Sequence, residues 1–232
     1  MADAARTAKT QHLSTSVEGT PMASSKFTAR NDADVTQLIT RQPLAWVMSH
    51  GNPASATPLP LRPELVENER VVTLIGHYAR SNPQVAALQS DPRASLLFMG
   101  PNGYVSPSWL TDRTQAPTWN YACVNVDVRI EFLDNQADLD RIVRDLVQAM
   151  ESDRQHGWSV EEMGARYEQL LTRIIPFRAH VLGMNAKFKL GQDERDDVYP
   201  EIISGLSRTG NEALIEMMTD ANPARTNLGN PG

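Results

Sequence analysis

The segment GHYARSNP, residues 76–83, places histidine, arginine and serine between a predicted strand and a predicted helix. Free N–H groups at a helix start favour an anion, so Arg80 and Ser81 are candidate ligands for a phosphate or a carboxylate. The alternative is that Ser81 or Asn82 caps the helix and that Arg80 is solvated. His77 could ligate a metal or haem iron, bind a phosphate or transfer a proton, or it could make a structural hydrogen bond.

The segment GPNGYVSPSW, residues 100–109, predicts a shaped loop, because its prolines and glycines restrict the backbone. Aromatic walls combined with hydroxyl groups suit a planar ring ligand. The residues that would line the loop are Tyr104, Ser106, Ser108 and Trp109. A surface hairpin with ordinary aromatic packing is the alternative.

The segment PTWNY, residues 117–121, combines aromatic rings with polar groups at the head of a predicted strand. Thr118 and Asn120 can hydrogen-bond the edge of a heterocycle, while Trp119 and Tyr121 can pack on its faces. The alternative is a strand start with buried aromatic residues. The segment therefore predicts one wall of a cofactor site.

Two lysines share one face of a predicted strand near the C-terminus. Lys187 and Lys189 can meet an anionic ligand together, or they can protect a solvated edge strand from pairing. The sequence carries no Walker loop and no GxGxxG, HExxH or CxxC motif. Cys123 has no obvious base nearby, so a nucleophilic role is not expected.

Composition narrows the class of protein. The chain has 232 residues, 41% of them hydrophobic, and a net charge of −6, which argues against direct DNA binding. A single cysteine favours a reducing compartment, so we expect a cytoplasmic location. No apolar run approaches the length of about 18 residues that a membrane helix needs, so no membrane partner is expected.

The elements that must position these residues are short strands followed by helices. Strict alternation over 124–132 predicts a long strand with one face on a core and the other in water or in an interface. Apolar spacing over 139–150 and a capping box at Ser159 and Glu162 predict two helices, with two more near 196–207 and 210–219. We expect a disordered tail over 1–30, one domain over 31–220 and a flexible tail over 221–232.

Five motifs, in this order along the chain, resemble those of the PaiB-type FMN-binding split-barrel family. They are TPLPL (57–61), GHYARSNP (76–83), GPNGYVSPSW (100–109), PTWNY (117–121) and KFKLGQ (187–192). The resemblance implies a mainly β protein with helices (α+β): a six-stranded antiparallel split β-barrel with C-terminal helical additions. It also implies a homodimer with its cofactor, haem b or FMN, at the subunit interface.

The resemblance assigns roles to the candidate residues. The strand with Thr57 and Leu59 would pass along the ring system, and residues 77–81 would hold the phosphate or propionate end. The complete set of candidate cofactor ligands is Thr57, Leu59, His77, Arg80, Ser81, Ser106, Trp109, Thr118, Trp119, Asn120, Lys189 and Gln192. The candidate catalytic residues are Tyr104, Tyr121 and Lys187.

Departures from the family pattern favour one of its branches. The loop between Trp109 and Pro117 is short, and Gly191-Gln192-Asp193 stands where the family usually has Ser-Gln-Asn. The haem-dependent piperazate synthases look similar, and in that branch His77 would be the axial iron ligand. The function expected first is therefore N–N bond formation on a small N-hydroxylated diamino acid such as N5-hydroxyornithine. The alternatives are an FMN-binding transcriptional regulator and a flavin-dependent oxidoreductase.

Overall fold

One antiparallel sheet organises the protein. The computed structural model describes residues 26–51, 54–133 and 135–226. Its strands are β1 (Leu44–Ser49), β2 (Ser55–Pro60), β3 (Arg62–Glu67), β4 (Arg70–Ala79), β5 (Arg93–Val105), β6 (Thr118–Phe132) and β7 (Ile174–Lys189). Their order across the sheet is β2-β1-β5-β6-β7-β4-β3.

The strand count corrects one expectation. The α+β class is confirmed, but the described sheet has seven strands where the resemblance implies six. The unexpected strand is β3, an edge strand that begins Arg62-Pro63 and carries register shifts around Leu65. Proline and an irregular register disturb the apolar–polar alternation of such a strand, so the sequence pattern does not predict it.

The sheet is curled, because its two edge strands are consecutive in the chain. Only Leu61 separates the end of β2 from the start of β3, and two peptide steps reach at most about 7 Å. Leu61 is fully buried at this junction. Gly76 approaches it so closely that a Cβ there would lie 2.4 Å from a Leu61 methyl carbon. The sheet therefore has an inner face, which forms the core, and an outer face.

The alternation predicted for β6 is confirmed. Val124, Val126 and Val128 are buried on the inner face, while Asn125 and Asp127 are exposed on the other. Aromatic rings from three other strands fill the interior, namely Tyr78, Phe98 and Phe177. This burial of one face is what a strict period of two predicts.

Helices cover the ends and one side of the sheet. They are α1 (Asp32–Arg41), α2 (Gln84–Ser90), α3 (Gln136–Glu151), α4 (Arg166–Leu171), α5 (Tyr199–Arg208), α6 (Glu212–Ala221) and α7 (Pro223–Thr226). The capping box of Ser159 and Glu162 is present, but it begins a short 3-10 turn, and α4 starts later. No helix in the described ranges is long and apolar enough to span a membrane.

The structure describes residues on both sides of the predicted domain boundaries. Residues 26–30 fall in the predicted N-terminal tail, and Phe27 among them lies against β7: the Phe188 amide donates to the Phe27 carbonyl at 2.7 Å. Helix α7 lies in the expected C-terminal tail. The remaining tail predictions, over 1–25 and 227–232, lie outside the described residues.

Candidate functional site

Three aromatic rings gather on the outer face at the head of β6. Tyr104 and Trp119 are cross-strand partners with ring centroids 5.9 Å apart, and they are 43% and 54% exposed. Tyr121 lies two residues further along the same face and is half-buried. Exposed rings in contact with one another form a surface on which a planar ligand can stack.

Two lysines of β7 border these rings. Lys187 Nζ lies 5.9 Å from the ring centroid of Tyr121. Lys189 donates from Nζ to the Trp119 carbonyl at 3.0 Å and to Thr118 Oγ1. We call Tyr104, Trp119, Tyr121, Lys187 and Lys189 the aromatic–lysine face.

Apolar side chains continue this surface across β5 and β1. Leu44, Trp46 and Met99 are 62%, 49% and 46% exposed. Trp46 pairs with Leu97 on β5, so the apolar side chains of the two strands lie side by side. Patches of this kind on a soluble protein mark interaction surfaces. Leu44, Trp46 and Met99 are not among the predicted site residues, although alternation in LAWVMS places Leu44 and Trp46 on one face.

Asn120 lies apart from its aromatic neighbours. It is fully buried on the inner face, where its Nδ2 is 3.6 Å from Met218 Sδ, and its Oδ1 has no hydrogen-bond partner in the described part of the chain. Successive strand residues point to opposite faces, so Asn120 cannot approach a ligand from the same side as Trp119 and Tyr121.

The GPNGYVSPSW segment is not a loop of aromatic walls. Its first residues continue β5 across a bulge between Met99 and Asn102. Ser106 accepts a hydrogen bond from the Ser108 amide and so begins a 3-10 turn. The Trp109 ring packs on α5 at Gly205, where a Cβ would be 2.2 Å away. Of the two predicted aromatic walls, only Tyr104 belongs to the exposed face.

His77 lies on the outer face of β4, opposite Pro176 of β7 and on the side that α3 covers. Its Nδ1 is buried without a hydrogen-bond partner among the described residues, and burial lowers the pKa of the imidazole below its ordinary value. Burial therefore favours the neutral form of the ring.

The rest of the GHYARSNP segment is held by local hydrogen bonds. Arg80 Nε donates to the Thr172 carbonyl at 3.1 Å, and Ser81 is exposed. Asn82 accepts from the Gln84 amide at 2.9 Å and donates to Thr57 Oγ1 at 3.1 Å. Asn82 therefore bonds the first amide of α2, although the N-cap position itself is Pro83.

The predicted site residues form two groups in this chain. His77 pairs near the start of β7, and Lys187 lies near its end, eleven residues on, which is roughly 35 Å of strand. Leu59 packs against the core. Gln192 closes the turn after β7 by bonding the Leu190 amide and the Phe188 carbonyl. No cluster of three or more metal-binding side chains occurs within residues 26–51, 54–133 and 135–226.

The fold and the site define a mixed α+β protein whose curled antiparallel sheet exposes an aromatic and cationic outer face. A family model described as "Putative FMN-binding domain" matches residues 22–182. The chain belongs to this FMN-binding family, which confirms the resemblance read from its motifs and agrees with the expected cofactor class.

Individual relatives agree with this membership. The chain is 26% identical over 200 residues to "Protease synthase and sporulation protein PAI 2" of Bacillus subtilis, covering 84% of this chain and 94% of that one. It is 29% identical over 177 residues to an uncharacterized protein of Aspergillus fumigatus, covering 60% and 68%. A solved "FAD and Heme binding protein" from Mycobacterium smegmatis has the same fold, with a TM-score of 0.51, 16% identity, and coverage of 77% and 78%.

Proposed function

We propose that this protein binds FMN on the aromatic–lysine face. The observation that carries the proposal is the contact of exposed aromatic rings with two ammonium groups on one open surface. The rings of Trp119 and Tyr121 suit an isoalloxazine system, and Lys187 suits a phosphate because it forms no ion pair with a described carboxylate. Bound FMN would supply electron or hydride transfer.

The roles of the chain's own residues follow from their positions. The Tyr104 and Tyr121 hydroxyls are candidate proton donors to a substrate on this face. Lys189 braces the site, since its bonds to Thr118 and to the Trp119 carbonyl hold the heads of β6 and β7 together. A small-molecule substrate would lie against the open side of the flavin.

We further propose that the site is completed in a homodimer. The apolar side chains of Leu44, Trp46 and Met99 extend the same face, and their exposure is unfavourable unless a partner covers them. Arg80 and Ser81 are distant from Lys187 within one subunit, so they can contribute to the same ligand only from a partner. This arrangement is compatible with six of the strands wrapping a split barrel and β3 flanking it.

A haem-dependent N–N cyclase is the second candidate, and the neutral imidazole of His77 favours it, because an unprotonated nitrogen can ligate iron. Its weakness lies in the surroundings of that ring. A metal-bound histidine commonly donates its other N–H to an acceptor, and Nδ1 of His77 has none among the described residues. The flavin proposal is therefore preferred. Direct DNA binding is not proposed, since the chain carries a net charge of −6, and a cytoplasmic location stays an expectation.

The decisive experiment is an absorption spectrum of the purified protein followed by FMN titration. We expect a flavin spectrum and an affinity that falls about tenfold in Trp119→Ala and about tenfold to a hundredfold in Lys187→Ala. Leu65→Ala and Arg129→Ala, which remove an exposed apolar and an exposed cationic side chain elsewhere on the sheet, are the matched controls.

Other outcomes would separate the candidates. A Soret band that disappears in His77→Ala would replace the flavin proposal with the haem one. Binding of upstream DNA at physiological salt would support a regulator instead. Equal losses in Trp119→Ala and in the Leu65→Ala control would mean that the aromatic–lysine face is not the flavin site.

A further inference from the structure

A short N-terminal segment pairs with the part of the β7 edge that β4 leaves open. β4 pairs with β7 only over Ile174–His180, so the same edge is open beyond that point. Thr28 forms an antiparallel bridge with Lys187 on that edge, and the Phe188 amide donates to the Phe27 carbonyl at 2.7 Å. Lys26 forms an ion pair with Asp193 at 2.6 Å. We call residues 26–28 the strap.

The strap places an aromatic ring beside the site lysine. The ammonium of Lys187 lies 6.0 Å from the ring centroid of Phe27 and 5.9 Å from that of Tyr121. Two rings thus flank a single cation and restrict where a long flexible side chain can go. Lys26 also lies 5.0 Å from the Phe27 ring, but its charge is paired with Asp193. Of these two ammonium groups, that of Lys187 forms no ion pair with a described carboxylate, so it is the one available to a ligand.

We propose that Phe27 is a positioning residue that holds Lys187 to receive the terminal phosphate of a mononucleotide on the aromatic–lysine face. This inference rests on the proposed flavin site. It explains why that site would prefer FMN to riboflavin, which has no phosphate. Removing the Phe27 ring leaves the ammonium present but free to leave its position. Binding of FMN is therefore weakened, whereas binding of riboflavin, which has no phosphate, is unchanged.

The test compares FMN and riboflavin affinities in full-length wild type, Phe27→Ala, Phe27→Leu and Phe27→Trp. The FMN preference should fall about threefold to tenfold in the alanine and leucine variants, since cation–π contacts are worth about that much. It should return in Phe27→Trp, because an aromatic face is restored, whereas leucine restores only bulk. Leu65→Ala, which removes an exposed apolar side chain from the opposite part of the sheet, is the control.

A second measurement needs no flavin. The rate at which acetic anhydride labels Lys187, followed by mass spectrometry, should rise in Phe27→Ala and return towards wild type in Phe27→Trp. An unchanged FMN preference together with unchanged labelling would overturn the role of Phe27. If wild type binds no flavin, the proposed function fails, and the labelling rates alone then decide whether Phe27 positions Lys187.

Discussion

Because Trp109 packs on Gly205, we expect Gly205→Ala to destabilise the wild type and to stabilise the Trp109→Ala variant. A Cβ at Gly205 would lie 2.2 Å from Cε3 of the Trp109 ring, so Gly205→Ala forces the ring or helix α5 to move. Overpacking at so short a distance costs about 2–3 kcal/mol, and the gain in helix propensity returns about 1 kcal/mol. We expect a net loss of about 1–2 kcal/mol in wild type, which is a fall in Tm of roughly 2–8 °C.

In Trp109→Ala the same substitution should stabilise the protein. The ring is gone, so only the helix-propensity gain of up to about 1 kcal/mol remains. Equilibrium urea unfolding of wild type, both single variants and the double variant measures the coupling, expected at about 2–3 kcal/mol. Destabilisation by Gly205→Ala in both backgrounds would refute the packing argument. Flavin affinity in Trp109→Ala should fall less than in Trp119→Ala, because the Trp109 ring packs on α5.

Three further substitutions test the hydrogen-bond and charge arguments. Glu64→Gln should cost about 1–2 kcal/mol of stability at pH 7, since bonding to Arg178 lowers the pKa of Glu64 to about 2. This contribution is complete above pH 4.5, the ordinary pKa of the group, and is lost as the pH falls towards 2. In urea unfolding, the stability of the variant should therefore fall less steeply with pH in this range than that of wild type. Gln84→Ala should cost about 2–4 kcal/mol in the same assay, because it leaves the buried Tyr78 hydroxyl and the carbonyls bonded by Gln84 without their partner. His77→Asn should lose less stability than wild type as the pH falls below 6.5, as measured by urea unfolding. Burial lowers the pKa of His77 from 6.5, so in wild type the unfolded chain takes up the proton first.

Local patterns predicted much of the secondary structure. The alternation of β6 follows from covalent geometry, because successive side chains of any strand point to opposite faces. Asparagine is a favoured N-cap residue, and the Asn31 side chain accepts from the Asp34 amide at 2.8 Å at the start of α1. Such signals involve residues within a few positions of one another, so they can be recognised without knowing the fold.

The candidate site was predictable in its parts and not in its arrangement. The PTWNY pattern predicts one wall, yet Trp119 lies on the outer face and Asn120 lies under α6. The GPNG pattern predicts a loop, yet β5 continues through it by means of a bulge. Turn-forming residues inside a strand are ambiguous, since the same glycines and prolines serve loops and bulges.

The amino-acid sequence alone determined the family, the alternating strands and the residue types that suit an anionic aromatic ligand. Only the tertiary structure decided which of those residues meet. Phe27 reaches Lys187 across 160 positions, and Trp109 reaches Gly205 across 96, because strand register and the curl of the sheet bring them together. Contacts of this range depend on the packing of the whole core, and no short pattern encodes them.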